Sequence, residues 1–261
     1  MNIFASDLDQ TLIYSHRWIK DTKKEFIAIE KKEDKVISYI LSDTLKEIKS
    51  IITNNYFIPI TTRTLSQYRR INLDDLFTPY AVVANGGIIL INDEIDLEWE
   101  KVVKNNLAKC TSYETMLKKA SFLENEKGFI KFGSADNLFF YMIAEEDIFN
   151  KNVLNLIKGD FKKNNWRIFD QGRKVYFIPN AITKGRALKY LKEKLNSTFV
   201  VSSGDSLLDI SLSEHSDLFM IPNHSALDYK NKMNSVGIDN GFDLAKNAKI
   251  FLEEKHKKSN R

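Results

Sequence analysis

Short, continuous apolar runs recur along the chain and stop abruptly at polar residues. Such runs, without polar alternation, are typical of strands buried on both faces, as in a parallel sheet covered by helices. In an open α/β sheet, ligands bind beyond the carboxyl ends of the strands, so the polar clusters are predicted to meet at one rim. The five runs and clusters are Ile3–Ala5 before Ser6–Asp9, Tyr56–Ile60 before Thr61–Arg63, Ala81–Ala84 before Asn85–Gly87, Phe199–Val201 before Ser202–Asp205, and Leu218–Ile221 before Pro222–His224.

Helical segments are predicted between several of these runs. Over residues 44–54, Thr44 and Glu47 have the spacing of a capping box. Residues 184–195 have one apolar face, formed by Ala187, Leu188, Leu191 and Leu195. Because proline is rare inside a central strand, the second strand is either short or carries Pro59 at its last, non-pairing position.

The middle of the chain follows a different pattern. Helical stretches at 99–123, broken near Thr111–Ser112, and at 146–158 each precede a pair of strands. The predicted pairs are Phe129–Ser134 with Leu138–Ala144, and Trp166–Phe169 with Lys174–Ile178. The order helix, strand, strand, repeated twice, predicts an α+β unit with an antiparallel sheet.

The predicted fold is therefore a Rossmann-like α/β core, residues 1–87 and 181–261, with an inserted α+β domain over 88–180. A smaller insertion at about 14–41 carries two apolar stretches, Phe26–Ile29 and Val36–Ile40, and predicts a projecting hairpin. The length agrees with this organisation, since 261 residues correspond to ~1.7 domains of average size.

Composition narrows the classes of protein. A hydrophobic fraction of 43% excludes a disordered chain, and one cysteine, Cys110, excludes an internal disulfide. The net charge of +4 comes without a basic stripe or nucleic-acid-binding motif, so no nucleic-acid partner is expected. No apolar run approaches the ~20 residues of a membrane span, and no signal peptide is recognisable, so we expect a cytoplasmic protein without a membrane partner.

Carboxylates dominate the candidate chemistry. Asp7 and Asp9 share a face of an extended segment, where their mutual repulsion requires a cation or a proton between them. An isolated pair of this kind is more often a cap or turn, but Asp205 and Asp209 add two carboxylates at another strand end. Carboxylates with few histidines suit Mg²⁺, which accepts phosphate as a further ligand.

Two further residues suit an anionic ligand. Thr61 offers a hydroxyl and backbone N–H groups near a helix start, a natural place for phosphate oxygens. Lys184 opens the 184–195 helix behind Thr183, where its ammonium can face the same rim.

In this order the motifs resemble those of the haloacid dehalogenase-like hydrolases: Asp7-Leu8-Asp9-Gln10-Thr11, Thr61, Lys184, and Gly204-Asp205-Ser206-Leu207-Leu208-Asp209. The large insertion between Thr61 and Lys184 is similar to the cap of the Cof-like subgroup, which includes sucrose-phosphate and mannosyl-3-phosphoglycerate phosphatases. Asn85-Gly86 and Ile60–Thr64 also resemble that subgroup. Gln10 and Thr62 depart from it, since glycine is usual at the first position and common at the second.

The resemblance implies a Mg²⁺-dependent phosphatase of a small phosphorylated metabolite, such as a sugar phosphate. Asp7 would be the nucleophile that forms an aspartyl-phosphate, and Asp9 would protonate the leaving oxygen and then activate water. The metal would be held by Asp7, the Asp9 carbonyl and Asp205, with Asp209 in support.

The resemblance also implies that Thr61 and Lys184 bind the phosphoryl oxygens. Further candidate substrate-binding residues at the rim are Thr62, Arg63, Asn85, Gly86 and Asn223. Candidate specificity contacts, for which a solvated surface is an equally good interpretation, are Arg17, Trp18, Arg167, Asp170, Arg173 and Lys174. His16, His215 and His224 could tune the site, although they lack metal-ligand spacing.

Other functions fit the same residues less well. A phosphomutase of this superfamily uses the same acids, and a nucleotide or pyrimidine-precursor phosphate would also be an acceptable substrate. A dehalogenase does not need Asp9. A non-catalytic binding protein is least favoured, because all four motif residues are chemically competent. The sequence does not determine the oligomeric state.

Overall fold

The computed structural model describes residues 1–19, 23–73, 76, 78–225, 227 and 235–259. Within these residues the strands are β1 (Ile3–Ser6), β2 (Ile13–Tyr14), β3 (Phe26–Lys32), β4 (Lys35–Leu41), β5 (Tyr56–Pro59), β6 (Tyr80–Val83), β7 (Ile88–Ile91), β8 (Glu94–Ile95), β9 (Phe129–Ala135), β10 (Phe139–Ala144), β11 (Trp166–Gln171), β12 (Lys174–Pro179), β13 (Val200–Ser203), β14 (Leu218–Pro222) and β15 (Ser235–Ile238). The helices are α1 (His16–Ile19), α2 (Ser42–Ile51), α3 (Leu65–Tyr68), α4 (Leu97–Leu107), α5 (Tyr113–Ala120), α6 (Asn155–Lys163), α7 (Lys184–Lys194), α8 (Ile210–Ser213) and α9 (Gly241–Ser259).

The chain forms two compact units, Met1–Ile95 with Lys184–Arg261, and Asp96–Thr183. The second unit begins eight residues after the predicted start at 88. The reason is local, because the chain turns sharply at Ala84–Gly86 and β7 pairs antiparallel with β6 inside the first unit.

A parallel sheet of order β15-β14-β13-β1-β5 forms the centre of the first unit, which confirms the predicted α/β core. All four residues of β1 are buried, as the continuous apolar pattern requires. Pro59 is the last residue of β5. The third apolar run, β6, meets this sheet through one bridge between Ile60 and Val82. The sequence pattern missed β15, since Ser235–Ile238 is short and contains a glycine.

Helix α2 begins at Ser42, with Leu41 in the N-cap position, so the capping box predicted from Thr44 and Glu47 is wrong. The helix starts two residues earlier because it follows directly on β4. Thr44 then lies inside the first turn, with its buried Oγ1 lacking a hydrogen-bond partner among the described residues. Glu47 instead pairs with Lys249 of α9 at 3.1 Å, and the two helices pack together over a core of buried residues that includes Ile48, Leu244 and Leu252.

The predicted hairpin is present as β3 and β4, to which β2 adds a third antiparallel strand. Its register is irregular on both sides of Glu30. Glu30 also forms a bridge to Ile71, and the neighbouring Ile29 carbonyl accepts the Asn72 N–H at 2.6 Å. These contacts tie β3 to the chain that follows α3, and Glu30 is 2% exposed.

The second unit contains an antiparallel sheet of order β11-β12-β10-β9, which confirms the predicted strand pairs. Phe140 and Phe177 stack in its core with ring centroids 4.6 Å apart. The predicted helix over 146–158 lies later than expected, because a 3-10 turn capped by the Asn150 side chain precedes α6. None of the helices in the described ranges combines the length and hydropathy that a membrane crossing requires.

Candidate active site

The polar ends of β1 and β13 meet as the sequence predicts. The two strands are parallel neighbours, and the Asp7 N–H donates to the Ser203 carbonyl at 2.9 Å. Asp205 and Asp209 follow β13 in the next loop. One carboxylate oxygen from each of Asp7, Asp205 and Asp209 lies within 4.8 Å of the others, so these three side chains form one cluster.

Lys184 lies inside this acidic cluster. Its Nζ is 2.6 Å from Asp7 Oδ1 and 2.5 Å from Asp209 Oδ1, and the residue is 1% exposed. Lys184 is the first residue of α7, so the position of its ammonium depends on how closely α7 approaches α8. Gly185 permits this approach, since a Cβ there would overlap the Ser211 carbonyl oxygen, and its N–H donates to Ser211 Oγ at 3.1 Å.

The loop after β13 fixes Asp209 from the other side. Asp209 Oδ2 accepts hydrogen bonds from the Ser206 N–H at 2.9 Å and the Ser206 hydroxyl at 2.7 Å. A Cβ at Gly204 would overlap the Asp209 side chain, so this glycine is required for close packing. The motif Gly204–Asp209 therefore folds around the carboxylate that holds Lys184.

The cluster carries excess negative charge, because three carboxylates face one ammonium, a formal charge of −2 when all are ionised. Burial raises the pKa of Asp7 to about 7, with Lys184 acting against this and Asp209 and Asp9 adding to it. Burial and the charges of Asp7 and Asp209 likewise raise the pKa of Asp205 to about 8. Burial opposes the Lys184 ammonium, but the charges of Asp209 and Asp7 outweigh it and raise its pKa.

This donor set fits Mg²⁺. Hard carboxylate oxygens are its preferred ligands in proteins, and a divalent cation would neutralise the formal −2 charge. The predicted metal ligands Asp7, Asp205 and Asp209 are therefore together in space. The ligand predicted from Asp9 is its backbone carbonyl, and its carboxylate contacts Arg63.

Thr61 and Asn85 form a second part of the site beyond β5. The Ile60 N–H donates to the Ser6 carbonyl at 2.7 Å, so Thr61 follows directly beside the end of β1, one residue before Asp7. The buried Thr61 accepts the Arg63 N–H at its Oγ1, and its carbonyl accepts the Asn85 N–H at 2.9 Å.

Asn85 has the left-handed backbone value φ 56°, followed by Gly86 at φ 96°. The Asn85 Oδ1 is buried without a hydrogen-bond partner among the described residues. An unpaired amide oxygen at this position is available to accept a hydrogen bond from a ligand or a bound water. The structure therefore places Asn85 and Gly86 next to Thr61, where a substrate-binding turn was predicted.

Arg63 was predicted to contact substrate, and the structure shows a different set of partners. Its Nε and Nη2 each lie 2.7 Å from one oxygen of the Asp9 carboxylate, a bidentate ion pair. Its Nη1 lies 2.7 Å from Glu30 Oε2 of the hairpin. Burial opposes the guanidinium charge, but the hydrogen bonds and charges of Asp9 and Glu30 outweigh it and raise the pKa of Arg63.

The remaining rim residues have separate surroundings. Thr62 is partly buried, and the exposed Asn223 donates its amide hydrogen bond to Asp239. His224 Nε2 lies 2.8 Å from the Gln10 carbonyl. The His224 ring contacts the ring of Trp18 in a tilted arrangement, with centroids 4.8 Å apart and an interplanar angle of 53°, and Trp18 is 42% exposed. Gln10, which replaces the usual glycine, has φ 62° and occupies a left-handed conformation that costs about 1 kcal/mol for a residue with a Cβ.

In the second unit, the candidate specificity residues lie on β11 and β12 and in the turn between them. Asp170 pairs with Lys151 at 2.9 Å. Arg167 lies over the Phe169 ring, and Lys174 over the Tyr141 ring. Arg173 is exposed in the turn. These contacts describe a polar and aromatic sheet surface without assigning it a ligand.

Sequence reasoning missed several residues of the site. Thr11 donates to Asp7 Oδ2 at 3.2 Å, and its place in the first motif was the available signal. Ser206 is also inside a recognised motif. Glu30 and Ser38 lie in the charged hairpin, where no pattern distinguishes them from solvated neighbours.

Comparison with known proteins connects this geometry to a family. The sucrose-6F-phosphate phosphohydrolase family matches residues 1–235. The phosphoglycolate phosphatase of Sulfurisphaera tokodaii is 27% identical over 190 residues, which cover 71% of this chain and 74% of that protein.

Solved structures share the fold at low sequence identity. The sucrose-phosphatase of Synechocystis sp., solved with sucrose and phosphate, has a TM-score of 0.70 at 17% identity and covers 96% of this chain and 97% of its own. A haloacid dehalogenase-like hydrolase from B. subtilis has a TM-score of 0.61 at 13% identity, with 94% and 98% covered. The solved structures show that this chain shares the fold of a haloacid dehalogenase-like hydrolase. The match over residues 1–235 shows that the chain belongs to the sucrose-6F-phosphate phosphohydrolase family, whose members are phosphoric monoester hydrolases.

Proposed function

We propose that this protein is a Mg²⁺-dependent phosphatase that hydrolyses a small phosphorylated metabolite through an aspartyl-phosphate on Asp7. The observation that carries the proposal is the buried cluster of Asp7, Asp205 and Asp209 around Lys184. Buried charges are costly, and apolar residues in their place often stabilise a protein as well or better. A buried acidic cluster therefore indicates a functional role.

Asp7 is held in a defined orientation for attack. Lys184 binds its Oδ1, and Thr11 donates to its Oδ2 at 3.2 Å, which leaves lone pairs on the carboxylate for phosphorus. In the first step an Asp7 oxygen bonds to phosphorus, the ester P–O bond breaks, and Asp9 in its protonated form donates that proton to the leaving oxygen. The step leaves Asp9 as the carboxylate that pairs with Arg63.

In the second step Asp9 takes a proton from water, and the water oxygen bonds to phosphorus. The bond between Asp7 and phosphorus breaks, and inorganic phosphate leaves. Lys184 offsets negative charge on the transferring phosphoryl oxygens throughout, which is the largest contribution expected from the protein's own groups.

Mg²⁺ bound by Asp7, Asp205 and Asp209, with the Asp9 carbonyl, would supply the charge neutralisation that lets an anionic phosphate approach an anionic nucleophile. Thr61 and Asn85 are proposed to bind phosphate oxygens or a substrate hydroxyl beside Asp7. Thr62, Gly86 and Asn223 remain candidates for the outer part of the same site, and Arg63 acts through Asp9.

A sugar phosphate is the favoured substrate class. It agrees with the family matched over residues 1–235 and with the sucrose and phosphate bound to the Synechocystis relative. The Sulfurisphaera relative is a phosphoglycolate phosphatase, so small carboxylated phosphates belong in the same screen. Nucleotide and pyrimidine-precursor phosphates are the runner-up substrates.

The test is phosphate release from a panel of sugar, glycolate and nucleotide monophosphates, with Mg²⁺ or with a chelator. The variant Asp7→Asn should lose at least about 1,000-fold in kcat, since it removes the nucleophile. Asp43→Asn is the matched control, because Asp43 forms an exposed ion pair with Lys46 and should behave as wild type. Phosphate transfer between sugar positions without release would indicate a mutase, and unchanged turnover by Asp7→Asn would exclude the proposed mechanism.

A further inference from the structure

The hairpin of β3 and β4 contributes a buried carboxylate to the surroundings of Asp9. The Glu30 side chain is 0% exposed, and its Oε2 lies 2.7 Å from Arg63 Nη1. Ser38, on the opposite strand, donates its hydroxyl to the same oxygen at 2.6 Å and accepts from Arg63 Nη2 at 3.2 Å. Arg70 pairs with the other oxygen, Oε1, at 3.1 Å.

Arg63 therefore has two occupied edges. One edge holds both oxygens of Asp9, and the other is held by Glu30 and Ser38. Its side chain is 12% exposed, whereas that of Asp9 is 47% exposed. The Arg63 guanidinium is thus buried and held in place, and the Asp9 carboxylate that it binds is accessible to solvent.

A bidentate pair of this kind controls orientation. The planar guanidinium fork fixes the plane of the carboxylate it binds. Each carboxylate oxygen carries two lone pairs, so one arginine hydrogen bond per oxygen does not saturate a carboxylate.

We propose that Glu30 and Ser38 are positioning residues, which hold Arg63 so that Asp9 points correctly at the leaving oxygen. The inference rests on the proposed function, in which Asp9 moves the proton. The hairpin of β3 and β4 then contributes to catalysis by orienting Asp9 through Arg63.

This role makes a specific demand on substrates. An alkyl phosphate releases a strongly basic oxygen and needs the proton from Asp9 as the P–O bond breaks. A nitrophenyl phosphate releases a stable phenolate and needs little proton donation. Misorientation of Asp9 therefore lowers kcat/KM for the alkyl ester much more than for the aryl ester, while a general loss of structure lowers both.

The experiment measures kcat/KM for a sugar phosphate and for p-nitrophenyl phosphate with wild type and Glu30→Gln at saturating Mg²⁺. We expect Glu30→Gln to lose about tenfold on the sugar phosphate and less than about twofold on the aryl ester, since small misplacements of catalytic groups have effects of this order. Ser38→Ala should also lower kcat/KM for the sugar phosphate more than kcat/KM for the aryl ester, but the difference should be smaller than for Glu30→Gln. Arg69→Gln is the matched control, because it removes an exposed ion pair to Asp93 and leaves Glu30 untouched.

The variant Arg63→Met tests whether Glu30 acts through Arg63. Once Arg63 is absent, adding Glu30→Gln should not change the ratio of the two kcat/KM values further. Equal losses on both esters, a changed ratio in Arg69→Gln, or independent effects of Glu30 and Arg63 would each overturn the inference. Ser38→Ala and Arg63→Met decide the matter if Glu30→Gln does not fold. A wild-type protein that releases phosphate from neither ester would instead contradict the proposed function.

Discussion

Replacing Lys184 with methionine tests the electrostatics of the site most sharply. Methionine has a similar length without charge, so the substitution removes the ammonium that lies 2.6 Å from Asp7 and 2.5 Å from Asp209. The formal charge of the cluster would change from −2 to −3, with three carboxylates left unopposed. Turnover should then fall, whereas the affinity for Mg²⁺ should rise.

Catalysis should fall, because the variant loses a cation that stabilises the transferring phosphoryl group. Losing one such donor costs roughly 100-fold to 1,000-fold in kcat, or about 3–4 kcal/mol. Removing one partner of a buried ion pair destabilises a protein by about 3–5 kcal/mol. At pH 7 we expect the free energy of unfolding to fall by about 3 kcal/mol, the lower end of this range. The reason is that Asp7 and Asp205, with pKa values of about 7 and 8, can take up protons and so reduce the repulsion.

Metal binding should change in the other direction. A site of formal charge −3 attracts Mg²⁺ more strongly than one of −2, so the rise in unfolding temperature on adding Mg²⁺ should be larger for Lys184→Met than for wild type. Phosphate release and thermal unfolding with and without Mg²⁺ measure both effects. Lys189→Met, an exposed position on the same helix, is the control. Turnover within threefold of wild type, or weaker stabilisation by Mg²⁺, would refute the reasoning.

Three other predictions follow from the same contacts. Asp9→Asn should lower kcat/KM roughly 100-fold for an alkyl phosphate and far less for p-nitrophenyl phosphate; equal losses would contradict its role as the acid. Gly185→Ala should cost about 1–3 kcal/mol in urea unfolding because a Cβ overlaps backbone, whereas Gly159→Ala, a helical site with open space, should gain about 0.5–1 kcal/mol. Asp7 and Asp205 have pKa values raised above the ordinary 3.8, so between about pH 4 and pH 8 the folded metal-free protein binds more protons than the unfolded chain. Stability of the metal-free protein should therefore fall as pH rises through this window, and Mg²⁺ should raise the unfolding temperature more at pH 8 than at pH 5; an equal rise at both would contradict these shifts.

The sequence predicts the acidic cluster well because strand order and motif order coincide. Asp7 and Asp205 each follow a continuous apolar run, and adjacent parallel strands bring such ends together. Lys184 joins them because its helix packs through Gly185, a feature that the sequence contains as a Lys-Gly pair. The strand ends are local signals read in a fixed topology, whereas the close approach of α7 to α8 at Gly185 is a tertiary contact.

The remaining parts of the site depend on tertiary contacts that no local pattern encodes. Arg63 has the sequence context of a substrate ligand, yet its partners come from the first motif and from the hairpin. Glu30 lies among charged residues typical of a solvated strand, yet it is buried. Its contacts come from elements distant in the chain, with Ile71 bridging its backbone and Arg63 and Arg70 pairing with its carboxylate. The helix start at Thr44 was wrong for a similar reason, since the preceding strand determines where α2 begins.

Trapping the covalent intermediate tests the central claim most directly. The protein is mixed with a turned-over phosphate ester and Mg²⁺, quenched rapidly in acid and treated with borohydride, which reduces an aspartyl-phosphate to homoserine. The proposed mechanism predicts homoserine at position 7 in peptide mass spectra, dependent on substrate and Mg²⁺ and absent from Asp7→Asn. An active protein without modification at position 7, or with homoserine at another aspartate, would contradict it.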